Sequence, residues 1–180
     1  MLHGPRVVLR SRIESDTEVL HAELFDDVVE WSRANGRAWR PLPLGAASPF
    51  GPSEPSEEVA RFSVVARDDD ALLGAALLWG IDAHNRLAHI GMSLRPFCRG
   101  LGYGTEVVQV LCRYGFETLG LHRLAIETLE DNLAMLGAAR AAGFRTEGAI
   151  RSAAWVDGAF HNELVLGLLA AEWRDARPAT

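Results

Sequence analysis

Arg99-Gly100-Leu101-Gly102-Tyr103-Gly104 is the stretch that decides how this 180-residue chain is read. It lies between a β-like run at 87–94 and a helix-like run at 105–119. Alternate glycines ahead of a helix let successive backbone N–H groups come close to an anion. The helix N-terminus behind them adds a positive dipole end. Arg99 adds a fixed charge whose planar fork suits phosphate. Gly100, Leu101, Gly102, Tyr103, Gly104 and Thr105 thus read as a pyrophosphate cradle. A glycine-rich strand-to-helix turn without a ligand fits the same residues.

Spacing excludes two common phosphate loops. The dinucleotide fingerprint G-x-G-x-x-G would need a glycine where Thr105 stands. A P-loop needs a lysine, and all 18 Lys-plus-Arg residues here are arginines. The segment does match Q/R-x-x-G-x-G/A through Arg99, Gly102 and Gly104. Downstream come Asn132 at the start of a short helix, Gly143-Phe144 past its end, then Glu147-Gly148, Arg151, Asp157-Gly158 and Glu172-Trp173. Together with Val7-Val8-Leu9-Arg10 near the start, this pattern resembles the GNAT superfamily of N-acetyltransferases over nearly the whole chain. Within it, the chain is similar to the branch that acetylates N-terminal amines of ribosomal proteins.

Composition sets the outer bounds. A chain of this length, 48% hydrophobic, can bury one substantial core and is read as a single domain over 1–180. No apolar run reaches the length of a membrane span, and the first residues lack a cationic-then-apolar signal region. Cys98 and Cys112 form neither a disulfide framework nor a metal spacing, so a cytoplasmic, reduced protein is expected. His84 and His161 lack metal-spaced partners. A net charge of −6 argues against a nucleic-acid surface and is compatible with an amine-bearing acceptor.

Periodicity predicts strands at 6–10, 61–67, 72–81, 87–94, 123–129, 144–151 and 164–169, and helices at 16–31, 105–119 and 133–142. Asp68-Asp69-Asp70 reads as a hairpin turn. Residues 41–55 hold five of the eight prolines and read as a long loop, a candidate wall of the acceptor site. Strands flanking the 105–119 helix make a βαβ unit with the glycine loop at its start. The resemblance implies more: an α/β fold with a mixed, strongly twisted sheet, splayed between strands 87–94 and 123–129, helices on both faces. Acetyl-CoA would lie in the splay, its pantetheine arm against Met92, Ser93 and Leu94 and near Asn132. A homodimer is compatible with it.

Acyl transfer to an amine needs a proton acceptor, a donor to the developing oxyanion and preferably a proton for the thiolate. Where relatives often carry A-E-I-G, this chain has Ala88-His89-Ile90-Gly91, so His89 is the candidate base; a half-exposed structural histidine is the alternative. Glu106 is a second candidate, or simply a carboxylate well placed in a helix first turn. Asn132 doubles as a natural helix N-cap. The expected proton donors are missing: Ala139 and Met135 stand where relatives place tyrosine or serine. Trp31, Trp39, Trp155, Asp157, His161 and Glu163 are candidate acceptor contacts. The sequence therefore points to an acetyl-CoA-dependent N-acetyltransferase working by direct transfer onto a protein N-terminus or small-molecule amine. The alternative is a coenzyme A-binding module with little turnover.

Overall fold

The computed structural model describes residues 1–36, 38–45 and 48–176. Eight strands form one sheet in the order β1-β2-β3-β4-β5-β6-β8-β7. They are β1 (Leu2–His3), β2 (Val7–Arg10), β3 (Val59–Ala66), β4 (Leu72–Asp82), β5 (Leu87–Leu94), β6 (Arg123–Leu129), β7 (Arg145–Val156) and β8 (Ala159–Leu169). All neighbours are antiparallel except β5 and β6. That pair is parallel because an α-helical crossover joins its strands.

Two helical layers cover the sheet. On one face α3 (Tyr103–Arg113) and α4 (Leu133–Ala141) place Val107, Leu111, Leu136 and Ala139 in the main core, with Leu78, Ala88, Ile90 and Ile126. Trp173 of α5 (Ala170–Asp175) joins this core. The other face carries a smaller cluster of Leu20, Leu24, Phe25 and Phe50 against Ala75. The period of two along a strand then assigns the side chains. Ala88, Ile90, Met92 and Leu94 face α3. His89, Gly91 and Ser93 face the opposite way, together with Leu77 and Trp79, their register partners on β4.

Four elements differ from the sequence expectation. The helix expected over 16–31 is broken into α1 (Glu14–Leu20), a π-helical turn His21–Phe25 and α2 (Val28–Ala34). The break comes from Asp27, whose side chain accepts the N–H groups of Val29 and Glu30 and so starts a new helix. α3 begins at Tyr103, two residues earlier than expected, because Gly102 takes the left-handed conformation (φ +85°) as its N-cap. A π-helical turn, Tyr114–Thr118, closes it. β7 and β8 are longer than expected and form a hairpin around Asp157 and Gly158, both at positive φ.

Candidate active site

The site begins with a gap in hydrogen bonding. β5 and β6 pair only at Leu87 with Arg123, Ala88 with Leu124 and His89 with Ala125. From Ile90 onward the β6-facing edge of β5 has no strand neighbour, although both strands continue. Free backbone groups inside a sheet need a partner, so the opening is a slot along which, among the described residues, β5 has no strand to pair with. It spans Ile90 to Leu94, roughly 16 Å from its closed end at His89 at about 3.3 Å per residue. Met92, Ser93 and Leu94 lie along it, half-buried.

The glycine loop stands at the open end. Gly100 and Gly102 both sit at positive φ, +75° and +85°. The first turn of α3 puts the N–H groups of Tyr103, Gly104 and Thr105 among those with no helical partner. Gly104 packs closely: a Cβ there would meet Met92 at 3.1 Å. Arg99 donates from Nε to the Leu94 carbonyl (2.9 Å), and its Nη1 pairs with Glu30 of α2 at 2.8 Å. Its other N–H groups, both of those on Nη2 among them, are free to meet a phosphate, whose charge would compete with that of Glu30. Arg6 is a cation that the loop motif did not reveal. It donates to the Leu101 carbonyl (3.2 Å) and lies over the Tyr103 ring at 4.8 Å.

Arg6 also corrects the reading of Glu106. The Glu106 carboxylate accepts the Arg6 backbone N–H (2.9 Å) and the Arg6 guanidinium, and it is buried. It fastens β2 to α3 and lies on the α3 side of the sheet, away from His89. Asn132 caps α4: Oδ1 accepts the Met135 N–H (3.2 Å), and Nδ2 donates to Thr128 Oγ1 (3.0 Å). Ala139 is fully buried and Met135 packs on the core, so neither position offers a proton donor. Tyr114 packs edge-on against Phe62. Cys98 is buried and gives its thiol to the Leu73 and Arg95 carbonyls. Burial pushes it up, so it makes a poor nucleophile.

His89 occupies the last paired rung, at the closed end of the slot. Its Nδ1 lies 2.9 and 3.0 Å from the two carboxylate oxygens of Glu127 on β6. A carboxylate only accepts, so Nδ1 carries the hydrogen, and in the neutral ring Nε2 holds the lone pair. Trp79 stacks on the ring at 4.3 Å, tilted by 25°. Gly80 borders its Cδ2 edge; a Cβ there would sit at 3.3 Å. Nε2 has no hydrogen-bond partner among the described residues. Glu127 and Trp79 were not found from the sequence. The only signal was alternation: both share the face of His89, but strand pairing had to be known first.

α2 crosses the mouth of this slot. Glu30 holds Arg99 beyond the end of β5, and Arg33 holds Asp131 beyond the end of β6 (2.6 Å). The expected acceptor residues are scattered. Trp31 packs edge-on against Phe25 and Phe50, and Trp39 Nε1 donates to the Phe25 carbonyl (2.8 Å). Both pack, half-buried, against the smaller core. Trp155 pairs with Phe160 near the β7–β8 turn, and Asp157 makes that turn. Phe160 lies seven residues from Gly167, which is level with Ala125 and His89. That is roughly 23 Å along the strand, so Trp155 and Asp157 are not at the closed end.

A family model described as an acetyltransferase (GNAT) domain matches residues 6–145. The chain is 29% identical over 113 residues to N-acetyltransferase p20 of Bacillus licheniformis, uncharacterized beyond that name. The match covers 63% of this chain and 64% of p20, a little under two thirds of that relative. YdaF of Bacillus subtilis, whose name assigns it provisionally to ribosomal N-acetylation, is 33% identical over 105 residues, 58% of this chain and 57% of YdaF. Among solved structures, a GNAT-family acetyltransferase from Bacillus anthracis superposes with a TM-score of 0.74 at 18% identity, covering 94% of this chain and 98% of that one. Spermidine N-acetyltransferase from Vibrio cholerae, in complex with CoA and spermine, superposes with 0.74 at 17% identity, covering 94% and 98%. At these identities the structures speak for the fold. The split sheet, the glycine loop at its open end and the family model over most of the chain lead to one assignment: this chain belongs to the GNAT family of acetyltransferases.

Proposed function

We propose that the protein transfers the acetyl group of acetyl-CoA directly to a primary amine, with His89 as the proton acceptor. The observation that carries this reading is the slot between β5 and β6, with an anion cradle at one end and a carboxylate-oriented imidazole at the other. The residues fit the cofactor. Gly102 to Thr105, with Arg99, would hold its pyrophosphate, and the free edge of Met92, Ser93 and Leu94 its pantetheine arm. Bound there, acetyl-CoA supplies an activated thioester carbonyl. Nε2 of His89 would take the proton that an ammonium must lose to become a nucleophile. Glu127 would hold the ring in that tautomer and stabilise the imidazolium that results. Ala139 and Met135 stand where relatives place a tyrosine or serine to protonate the thiolate, which is a competent leaving group without one.

The acceptor class is a primary amine, either a protein N-terminus or a small molecule. The provisional name of YdaF supports the first, and the spermine-bound neighbour supports the second. Two buried free cysteines suit a cytoplasmic location. The test is release of free thiol from acetyl-CoA with a panel of peptides, polyamines and amino sugars, read alongside acetyl-CoA affinity by calorimetry. Amine-dependent turnover is expected. Tight binding with no thiol release across the panel would leave a coenzyme A-binding module instead.

A further inference from the structure

A second cluster of charge lies at the free edge of the sheet, where Val59 and Arg61 share the face of His89 while Phe62 and Tyr114 belong to the α3 side, and nothing in the acetyl-transfer reading uses it. β2 ends at Arg10, opposite Ser63, so β3 residues 59–62 have no neighbour on that edge. A cavity of about 280 Å³ opens there, lined by Arg12, Arg61, Ser53, Ser56, Val59 and Phe62 among others. Arg12 donates from Nη1 to the Pro49 carbonyl (2.6 Å) and lies over the Phe50 ring at 5.6 Å. Its Nε is buried without a hydrogen-bond partner. Arg61 has no ion pair or hydrogen bond among the described residues.

An orphaned buried donor is costly, and the charge of Asp16 offsets only part of the burial of Arg12. Burial, and then the like charge of Arg61, push the Arg12 guanidinium down to about 10. The acids nearby do not resolve this. Asp16 is committed to Arg10 and Ser63. Glu54, on the loop wall, pairs with neither arginine among the described residues. Two guanidinium forks and two serines therefore line one cavity with a single carboxylate, Glu54, and one buried Arg12 N–H there is unpaired.

Register relates this cavity to the closed end of the slot. Val59, Trp79 and His89 lie side by side on β3, β4 and β5. Arg61 and Leu77 lie one pleat further along, on the same face. The separation is two strand spacings, about 10 Å. Trp79 bridges it as an open apolar floor, 42% exposed. We infer that the acceptor is an extended primary amine with a carboxylate or phosphate at its far end, the anion seated between Arg12 and Arg61 and the amine at His89. The inference rests on the acetyl-transfer reading for the amine end; the anion site stands on its own observations.

The test has two arms. In the first, calorimetry measures inorganic phosphate binding to Arg99→Ala protein, so that the glycine loop contributes less, with and without Arg61→Gln. Arg61→Gln should weaken phosphate at least fivefold and Arg61→Lys less, with unchanged circular dichroism. In the second, kcat/KM is compared for 6-aminohexanoate, its carboxamide and 5-aminopentyl phosphate. The wild type should prefer an anionic acceptor at least tenfold over the carboxamide, the better anion identifying the source. Arg61→Gln should cut that preference at least fivefold. Phosphate binding indifferent to Arg61 would overturn the anion site whatever the turnover. Phosphate binding that needs Arg61, with equal kcat/KM for anion and carboxamide, would overturn the acceptor assignment. No turnover with any amine, but Arg61-dependent phosphate binding, would overturn acetyl transfer and leave the anion site standing.

Discussion

The two ends of the slot are built from different materials. At the open end the chemistry is backbone: left-handed Gly100 and Gly102, the free N–H groups of the first turn of α3, and Leu94 beside them. At the closed end it is side chains from three strands, Trp79, His89 and Glu127, brought together by pairing over separations of 10 and 38 residues. Backbone donors are fixed wherever the chain takes that path, and they tolerate change in the side chains around them. A side-chain cluster depends on each member and on register, since a one-residue slip would turn His89 to the α3 face. The open end should therefore fail by losing ligand affinity, and the closed end by losing turnover.

Substitutions can break or sharpen this contrast. The largest effect is expected at the closed end. His89→Ala should lower kcat about 100-fold, the size typical of a lost general base, while acetyl-CoA affinity by calorimetry moves less than twofold. A parallel fall in affinity would merge the two ends into one. Gly102→Val comes next, since a β-branched residue at φ +85° is strained and would crowd Arg6 at 3.2 Å. Acetyl-CoA should bind at least tenfold more weakly in a protein that still folds by circular dichroism, with saturated kcat little changed. Unaltered affinity would remove the cradle.

Arg99→Ala should be milder, with a loss of about 5- to 20-fold in coenzyme A affinity, as for one charge-assisted contact. A truncated pantetheine thioester, which lacks the pyrophosphate, should be affected less. Equal losses for both ligands would make Arg99 a strut for the Leu94 carbonyl. The smallest effect runs the other way. Glu30→Gln frees Arg99 and should tighten acetyl-CoA two- to fivefold, the range of an exposed ion pair, with the gain shrinking as salt is raised. No change at low salt would mean that Glu30 and phosphate do not compete.

The same division decides what could be read before the fold was known. Arg99, Gly102 and Gly104 lie within six residues, and backbone geometry there follows from local chemistry, so the cradle and the strand–loop–helix around it were legible. The mixed sheet and the splay came from resemblance, since no local pattern states that β5 and β6 part after His89. Glu127 was invisible because its partner is 38 residues away. The packing of Trp31 and Trp39 on the smaller core was not legible, because a tryptophan near an expected site looks the same whether it lines a wall or rests on a core. Glu106 misled for a related reason: its helix-start position was legible, but its partner Arg6 sits 100 residues earlier. Asp27 falls inside the helix expected over 16–31 and instead starts another.

α2 also has a mechanical meaning. Its two ionic contacts lie three residues apart, about one helical turn, and reach opposite jaws of the slot, with Glu30 gripping the cationic jaw and Arg33 the anionic one. It acts as a tie rod of fixed length and fixed polarity. The jaws cannot spread without stretching a helix or releasing a pair, and the rod cannot be fitted backwards, since exchanging Glu30 and Arg33 would set like charges against both jaws. The gap in the sheet is thus bridged from outside the sheet, by seven residues that begin after Asp27.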